Sequence, residues 1–100
     1  MITVTYKNVL KPSKKQDDFM DWLKIHWPQQ QQWGAKSVKL WNTREGNRRI
    51  LFCQYTVENI ERWTEKAAGP SAGNLVRSLG EVVEMDKMTI KISVPQSENA

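Results

Sequence analysis

The sequence predicts an α+β fold in which four strands and two helices follow one another in the order βαββαβ. Two kinds of pattern lead to this prediction. Several segments alternate apolar and polar residues with the period of two that strands show, and two longer segments repeat apolar residues with the period of a helix. The order βαββαβ is that of the split-βαβ, ferredoxin-like fold, with a four-stranded antiparallel sheet and both helices on one face.

The first strand is predicted over residues 2–10, where Ile2, Val4 and Tyr6 alternate with threonine and lysine. Pro12 ends this strand, because proline has no backbone N–H to donate to a neighbouring strand. The chain has 100 residues, enough for one hydrophobic core. We therefore expect residues 1–94 to form a single domain and residues 95–100 to form a polar C-terminal tail.

The first helix is predicted from about Lys14 to Trp27. Ser13 and Gln16 have the spacing of a capping box, in which each side chain bonds an unpaired backbone N–H at the helix start. Pro28 denies a hydrogen bond to the carbonyl four residues earlier and disfavours helical geometry before it. The helix is therefore expected to end or kink at Pro28.

A hairpin is predicted next. Val38 and Leu40 alternate with polar neighbours in the second strand, and Gly46 supplies the positive φ angle that a tight turn requires. The segment "RRILFCQYTV", residues 48–57, follows as the third strand.

The second helix is expected to begin after an N-cap at Thr56, to be interrupted at Gly69-Pro70 and to end at Gly80. The segment "VVEMDKMTIKISV" is predicted as the closing strand, because apolar residues alternate in it up to Val94.

The sheet face away from the helices is expected to carry Trp41 and several apolar residues. An exposed apolar face of this kind favours association, and a second copy of the chain would cover it. The sequence therefore predicts a homodimer formed through the open sheet face.

The composition narrows the class of protein. The net charge of +4 comes from scattered basic residues, which are typical of a solvated surface. The lone cysteine, Cys53, has no partner for an internal disulfide and fits a reducing, cytoplasmic location. The N-terminus alternates as a strand and does not resemble a signal peptide. We expect a cytoplasmic protein with no nucleic-acid and no membrane partner.

His26 is the only histidine in the chain. On a helical wheel it falls within a broad apolar arc with Phe19, Trp22 and Trp27, so its side chain is expected to point towards the sheet. One reading is a core imidazole bonded to a backbone carbonyl or a hydroxyl. The other is a catalytic imidazole in a small-molecule site, in the space that opens between helix and sheet where Pro28 ends the helix.

The segment "DDFMDWLKIHWPQQQQWGAKSVKLW" resembles an EthD-type domain, a branch of the dimeric α+β barrel superfamily. The resembling motif comprises Phe19, Trp22, His26 and Pro28. Members similar to fungal polyketide-tailoring dehydratases are thought to use the helical histidine as a base. The resemblance therefore implies a small-molecule enzyme that acts on an aromatic or polyketide-like substrate without a metal or organic cofactor.

The proposed chemistry is proton abstraction from carbon next to a carbonyl, as in a dehydratase, isomerase or monooxygenase-like reaction. An imidazole with a pKa of about 6.5 accepts such a proton at neutral pH. Tyr6 and Asn8, with Tyr55 as a further candidate, are expected to donate hydrogen bonds to the resulting oxyanion. The predicted substrate-binding side chains are Trp22, Trp27, Trp41, Tyr55 and Trp63. The alternative is a non-catalytic dimeric ligand-binding or structural domain in which His26 packs.

Three other classes are less compatible with the residues. One histidine and one cysteine do not make a metal site. Asn8 and Trp63 resemble positions of haem-degrading members of the superfamily, but the second helix has no histidine. The third strand departs from the RNA-recognition pattern, because Arg49 stands where glycine belongs and Ile50 where a stacking aromatic belongs.

Overall fold

Four antiparallel strands form one sheet in the computed structural model, which describes residues 1–95. The strands are β1 (Ile2–Val9), β2 (Ala35–Glu45), β3 (Arg48–Val57) and β4 (Thr89–Ser93), and their order in the sheet is β2-β3-β1-β4. The predicted ferredoxin-like α+β fold is thereby confirmed. Most of the polar tail predicted for residues 95–100 lies outside the described residues.

Three α-helices connect the strands: α1 (Gln16–Gln32), α2 (Ile60–Ala67) and α3 (Gly73–Leu79). The predicted interruption at Gly69-Pro70 is present, because a 3-10 turn over Pro70–Ala72 separates α2 from α3. The predicted cap at Thr56 is wrong. Thr56 lies in β3, and the Asn59 side chain accepts the Arg62 N–H at 3.0 Å at the start of α2.

Helix α1 differs from its predicted bounds at both ends. At its start, the Asp18 carboxylate accepts the Lys15 N–H at 2.7 Å, and this bond replaces the predicted Ser13–Gln16 cap. At its end, the helix continues beyond Pro28 to Gln32. Lys24 and Pro28 are both exposed, so water can reach the carbonyl that the proline leaves unpaired.

The bounds of β2 and β4 complete the description of the sheet. Strand β2 begins at Ala35, and Gly46 takes the predicted positive φ angle (65°) in the turn to β3. Strand β4 is shorter than predicted. Val83 makes only an isolated bridge to Leu10, and a 3-10 turn over Met85–Lys87 precedes β4.

The strands alternate between a helix-facing side and an open side. The helix-facing side chains of β1 and β3 include Val4, Leu51 and Cys53, which belong to the buried core. On the open side, Trp41 stacks on Phe52 with ring centroids 5.2 Å apart and stays 42% exposed. The sheet therefore exposes aromatic surface on the side away from the helices.

No helix formed by residues 1–95 combines the length and the apolar character that crossing a membrane requires.

Candidate functional site

A cavity of about 250 Å³ lies between the sheet and the helices, and we call it the central cavity. Side chains of β1 and β3 form its floor, and residues of all three helices form its walls. Ile90 and Ile92 of β4 also line it although they are 55% and 49% exposed, so its mouth opens at the β4 edge. The volume is slightly below the roughly 300 Å³ at which ligand pockets usually begin, which fits a ligand of roughly one or two rings.

Two tyrosine hydroxyls interrupt the apolar lining of the floor. Tyr6 and Tyr55 contact each other edge to face, with ring centroids 5.7 Å apart. The Tyr6 hydroxyl accepts a hydrogen bond from Trp63 Nε1 at 2.9 Å, which leaves the hydroxyl hydrogen available to a ligand. Burial raises the pKa of Tyr6 and raises the pKa of Tyr55 well above its usual value. Both phenols are therefore neutral hydrogen-bond donors at neutral pH.

Asn8 lies deeper in the floor, on the same side of β1 as Tyr6. Its side chain is almost fully buried and lines the central cavity. The carboxamide nitrogen Nδ2 donates to the backbone carbonyl of Leu51 at 3.2 Å and lies 3.4 Å from that of Tyr6. Because the nitrogen is already bonded, the group that Asn8 can offer a ligand is its oxygen, an acceptor. This differs from the donor role that the sequence predicts for Asn8.

Gln30 is a cavity residue that the sequence reasoning missed. It is 2% exposed, and its Nε2 donates to the Tyr55 hydroxyl at 2.8 Å. Trp22, His26 and Gln30 are spaced four residues apart. In a helix that continues past Pro28, Gln30 therefore lies on the same face as Trp22 and His26. Ending the predicted helix at Trp27 hid this signal.

Cys53 contributes a thiol to the floor of the central cavity. Burial raises its pKa to about 12, although a hydrogen bond with Tyr55 acts in the opposite direction. The thiolate is the nucleophilic form of cysteine, so at neutral pH Cys53 is an apolar lining residue.

His26 lies between α1 and α3, in contrast to the predicted orientation towards the sheet. Its Nε2 is 3.0 Å from Ser78 Oγ, and the imidazole is half-buried. The Ser78 hydroxyl is also within hydrogen-bond distance of the carbonyl of Asn74, at 2.8 Å. Burial lowers the pKa of His26, so the imidazole is neutral at neutral pH.

The His26 ring is not part of the lining of the central cavity. Trp22 lies between His26 and the central cavity: it lines the cavity, and its ring centroid is 5.5 Å from that of His26. Its Nε1 donates to the carbonyl of Leu75 at 3.1 Å. His26 is therefore one side chain away from the cavity.

The predicted binding tryptophans fall into two groups. Trp22 and Trp63 line the central cavity, as does Trp33, which the sequence reasoning did not select. Trp27 and Trp41 are not part of this lining. Trp27 stacks on Tyr55 at a centroid distance of 6.4 Å and lies in a shallow depression at the surface of α1, whereas Trp41 lies on the open face of the sheet. Two of the predicted side chains therefore lie where a ligand of the central cavity does not reach them.

No protein-family model matches the sequence, and no curated protein is significantly similar to it. Solved structures do share its fold. A protein from Arabidopsis thaliana is 11% identical, with a TM-score of 0.74 over 100% of both chains. A putative antibiotic biosynthesis monooxygenase from Bordetella bronchiseptica is 13% identical, with a TM-score of 0.73 over 96% of this chain and 97% of the other.

An uncharacterised NIPSNAP-like domain protein from Burkholderia xenovorans is 18% identical, with a TM-score of 0.64 over 99% of this chain and 88% of the other. At such identities the likeness shows the fold alone. The chain has the ferredoxin-like α+β fold of proteins of the antibiotic biosynthesis monooxygenase type.

Proposed function

We propose that the protein is a small-molecule enzyme whose substrate, a flat aromatic or polyketide-like molecule, binds in the central cavity. The observation that supports this most strongly is the cavity itself: apolar walls around a few polar groups, open at one edge of the sheet. The description of one structural neighbour as a putative antibiotic biosynthesis monooxygenase supports a small-molecule enzyme.

The proposed reaction begins with removal of a proton from carbon next to a substrate carbonyl, which leaves negative charge on the carbonyl oxygen. Tyr6 is the donor for that oxygen, because its hydroxyl accepts from Trp63 and keeps its own hydrogen free. A neutral O–H in an apolar, water-poor site stabilises a developing oxyanion more than it does in water. Tyr55 is the second candidate donor.

His26 is the proposed base. Its imidazole is neutral because burial lowers its pKa, and a neutral imidazole accepts a proton. The imidazole of His26 reaches the substrate only if the Trp22 indole turns away from its position between His26 and the cavity. The mechanism uses no metal and no organic cofactor.

The test of this function is turnover by Tyr6→Phe. A panel of one- and two-ring aromatic ketones and phenols is screened with the unmodified protein, and kcat and KM are then measured for any substrate found. Loss of an oxyanion donor lowers kcat by about 100-fold with little change in KM. Trp41→Phe, on the opposite side of the sheet, is the matched control. An unchanged kcat in Tyr6→Phe would contradict the proposed role.

A second candidate is a binding protein without catalytic activity. It is favoured because Tyr6, Cys53 and Tyr55, the titratable groups of the cavity lining, all have raised pKa values. None of them accepts a proton at neutral pH. The two functions are separated by recovering a bound ligand after prolonged incubation: a binding protein returns it unchanged, and an enzyme returns product.

We also propose that the chain forms a homodimer through the open sheet face, as in dimeric α+β barrels. The same proposal places the protein in the EthD-like group and in the cytoplasm. The exposed stack of Trp41 on Phe52 supports the dimer, since burying it removes apolar surface from water. Sedimentation of Trp41→Glu tests it. We expect a dimer for the unmodified chain and a monomer for the variant, and a monomeric unmodified chain would contradict this assembly.

A further inference from the structure

Two residues that line the central cavity each carry a buried side-chain oxygen without a hydrogen-bond partner among residues 1–95: Asn8 Oδ1 and Gln30 Oε1. Asn8 is 1% exposed and Gln30 is 2% exposed. Buried polar atoms without partners are rare, because each one gives up its bonds to water and gains nothing in return. Two of them in the lining of one cavity indicate that something else completes their hydrogen bonds.

The neighbours of each carboxamide show which of its atoms is available. Asn8 Nδ2 faces the carbonyl of Leu51, so the reversed orientation would bring two oxygens together. Gln30 Nε2 donates to the Tyr55 hydroxyl at 2.8 Å, and Oε1 is the carboxamide atom left without a partner among residues 1–95. Both nitrogens are bonded and both oxygens are free. The terminal torsion of such side chains is soft, so each oxygen can turn towards a ligand in the cavity.

The two acceptors lie at different levels of the sheet. Asn8 pairs with Leu51, whereas Tyr55, the partner of Gln30, pairs with Val4. Four residues separate the two levels, which corresponds to about 13 Å along a strand, and the reach of the side chains shortens this span. A ligand that bonds both acceptors is therefore elongated, with one donor near each end.

We propose that the ligand of the central cavity is a flat, mostly apolar molecule that carries a hydroxyl or N–H donor at each end. One donor bonds Asn8 Oδ1 and the other bonds Gln30 Oε1. The Tyr6 hydroxyl is available to an acceptor between them. This inference rests on the proposed function in one respect, namely that the central cavity is the ligand site, and it adds the donor pattern that the site selects.

Isothermal titration calorimetry with three probes that share a naphthalene ring system tests the donor pattern. Naphthalene-2,6-diol has hydroxyls at both ends. In 2,6-dimethoxynaphthalene methyl groups replace both hydroxyl hydrogens, so the oxygens stay in place and no donor remains. Naphthalene-2,3-diol has both hydroxyls at one end. We expect the 2,6-diol to bind at least tenfold more tightly than each of the other two. Equal affinities for the 2,6-diol and its dimethyl ether would overturn the inference, and equal affinities for the two diols would overturn the placement of donors at both ends.

Gln30→Met tests the assigned acceptor, because methionine keeps the length of glutamine without its polar atoms. We expect this variant to show a smaller preference for the 2,6-diol over the dimethyl ether, because only the bond to Asn8 Oδ1 remains. The matched control, Gln31→Met, changes an exposed neighbour on the same helix and keeps the preference. An undiminished preference in a folded Gln30→Met would overturn the role of Gln30.

The comparison of probes on the unmodified protein requires no variant, so it decides the inference even where Gln30→Met does not fold. It also separates the two proposals. If neither diol nor ether binds, the central cavity is not the ligand site and both proposals fail. If diol and ether bind equally, the cavity is the ligand site and only the donor pattern is wrong.

Discussion

Two polar groups lie one helical turn apart on α1, and their surroundings differ. His26 is half-buried and bonded to Ser78, a hydroxyl that α3 supplies. Gln30 is buried in the lining of the central cavity. Its nitrogen is bonded to Tyr55, and its oxygen has no hydrogen-bond partner within residues 1–95. A ligand gains new hydrogen bonds at Gln30, whereas at His26 the protein already provides one. We therefore propose a binding role for Gln30 and a chemical role for His26.

The largest expected effect comes from filling the cavity. Ala67 lines it from α2, and Ala67→Phe places a ring in the space that a ligand needs. We expect the affinity for any cavity ligand to fall by more than about 100-fold, while overpacking costs about 1–3 kcal/mol of stability. Calorimetry and chemical denaturation measure the two effects.

The control for the filled cavity is Ile25→Phe, which adds the same ring at a position 72% exposed on α1. It should leave the affinity unchanged. Tight binding by Ala67→Phe would show that the ligand occupies another part of the molecule, and the contrast between the Gln30 and His26 surroundings would then lose its functional meaning.

A change at His26 should affect turnover and spare binding. His26→Ala removes the proposed base, and loss of a general base lowers kcat by about 100-fold or more. The affinity should stay within about twofold, because the ring is not part of the cavity lining.

Ser78→Ala is the matched variant for His26→Ala. It removes the same hydrogen bond but keeps the imidazole, so it should keep most of the turnover. A His26→Ala protein that binds tenfold more weakly would contradict the separation between the two groups. One that turns over substrate at the normal rate would remove His26 from the mechanism.

The smallest expected effect is on the pH dependence of stability. Burial lowers the pKa of His26 in the folded chain, so as the pH falls through about 6.5 the unfolded chain takes up a proton first. The free energy of unfolding should therefore decrease as the pH falls from about 7 to about 5.5, before most carboxylates titrate. Urea denaturation should show a flatter profile for His26→Gln. Identical profiles would mean that the environment of His26 does not disfavour its charged form.

The sequence predicted most of the fold because local patterns determine it. Alternation placed Tyr6 and Asn8 on the helix-facing side of β1, and both line the central cavity. Gly46 and the Gly69-Pro70 pair also occur where a turn and a helix break were expected. These features depend on backbone conformation and strand periodicity, both of which can be read within a few residues.

The candidate site was less predictable because it depends on contacts between distant segments. The effect of Pro28 depended on its surroundings: Lys24 and Pro28 are both exposed, and α1 continues past the proline to Gln32. The orientation of His26 depended on Ser78, which lies 52 positions further along the chain. Trp41 was expected both on the open face of the sheet and among the substrate-binding side chains, and its register with Phe52 places it on the open face, away from the central cavity.

The central claim is that the ligand binds between the Asn8 and Gln30 carboxamides and not at the imidazole of His26. A crystal structure of the protein soaked with naphthalene-2,6-diol tests it most directly. We expect the naphthalene in the central cavity, with one hydroxyl within hydrogen-bond distance of Asn8 Oδ1 and the other within that distance of Gln30 Oε1. A probe bound against His26 and Ser78, with the cavity carboxamides unpaired, would contradict it.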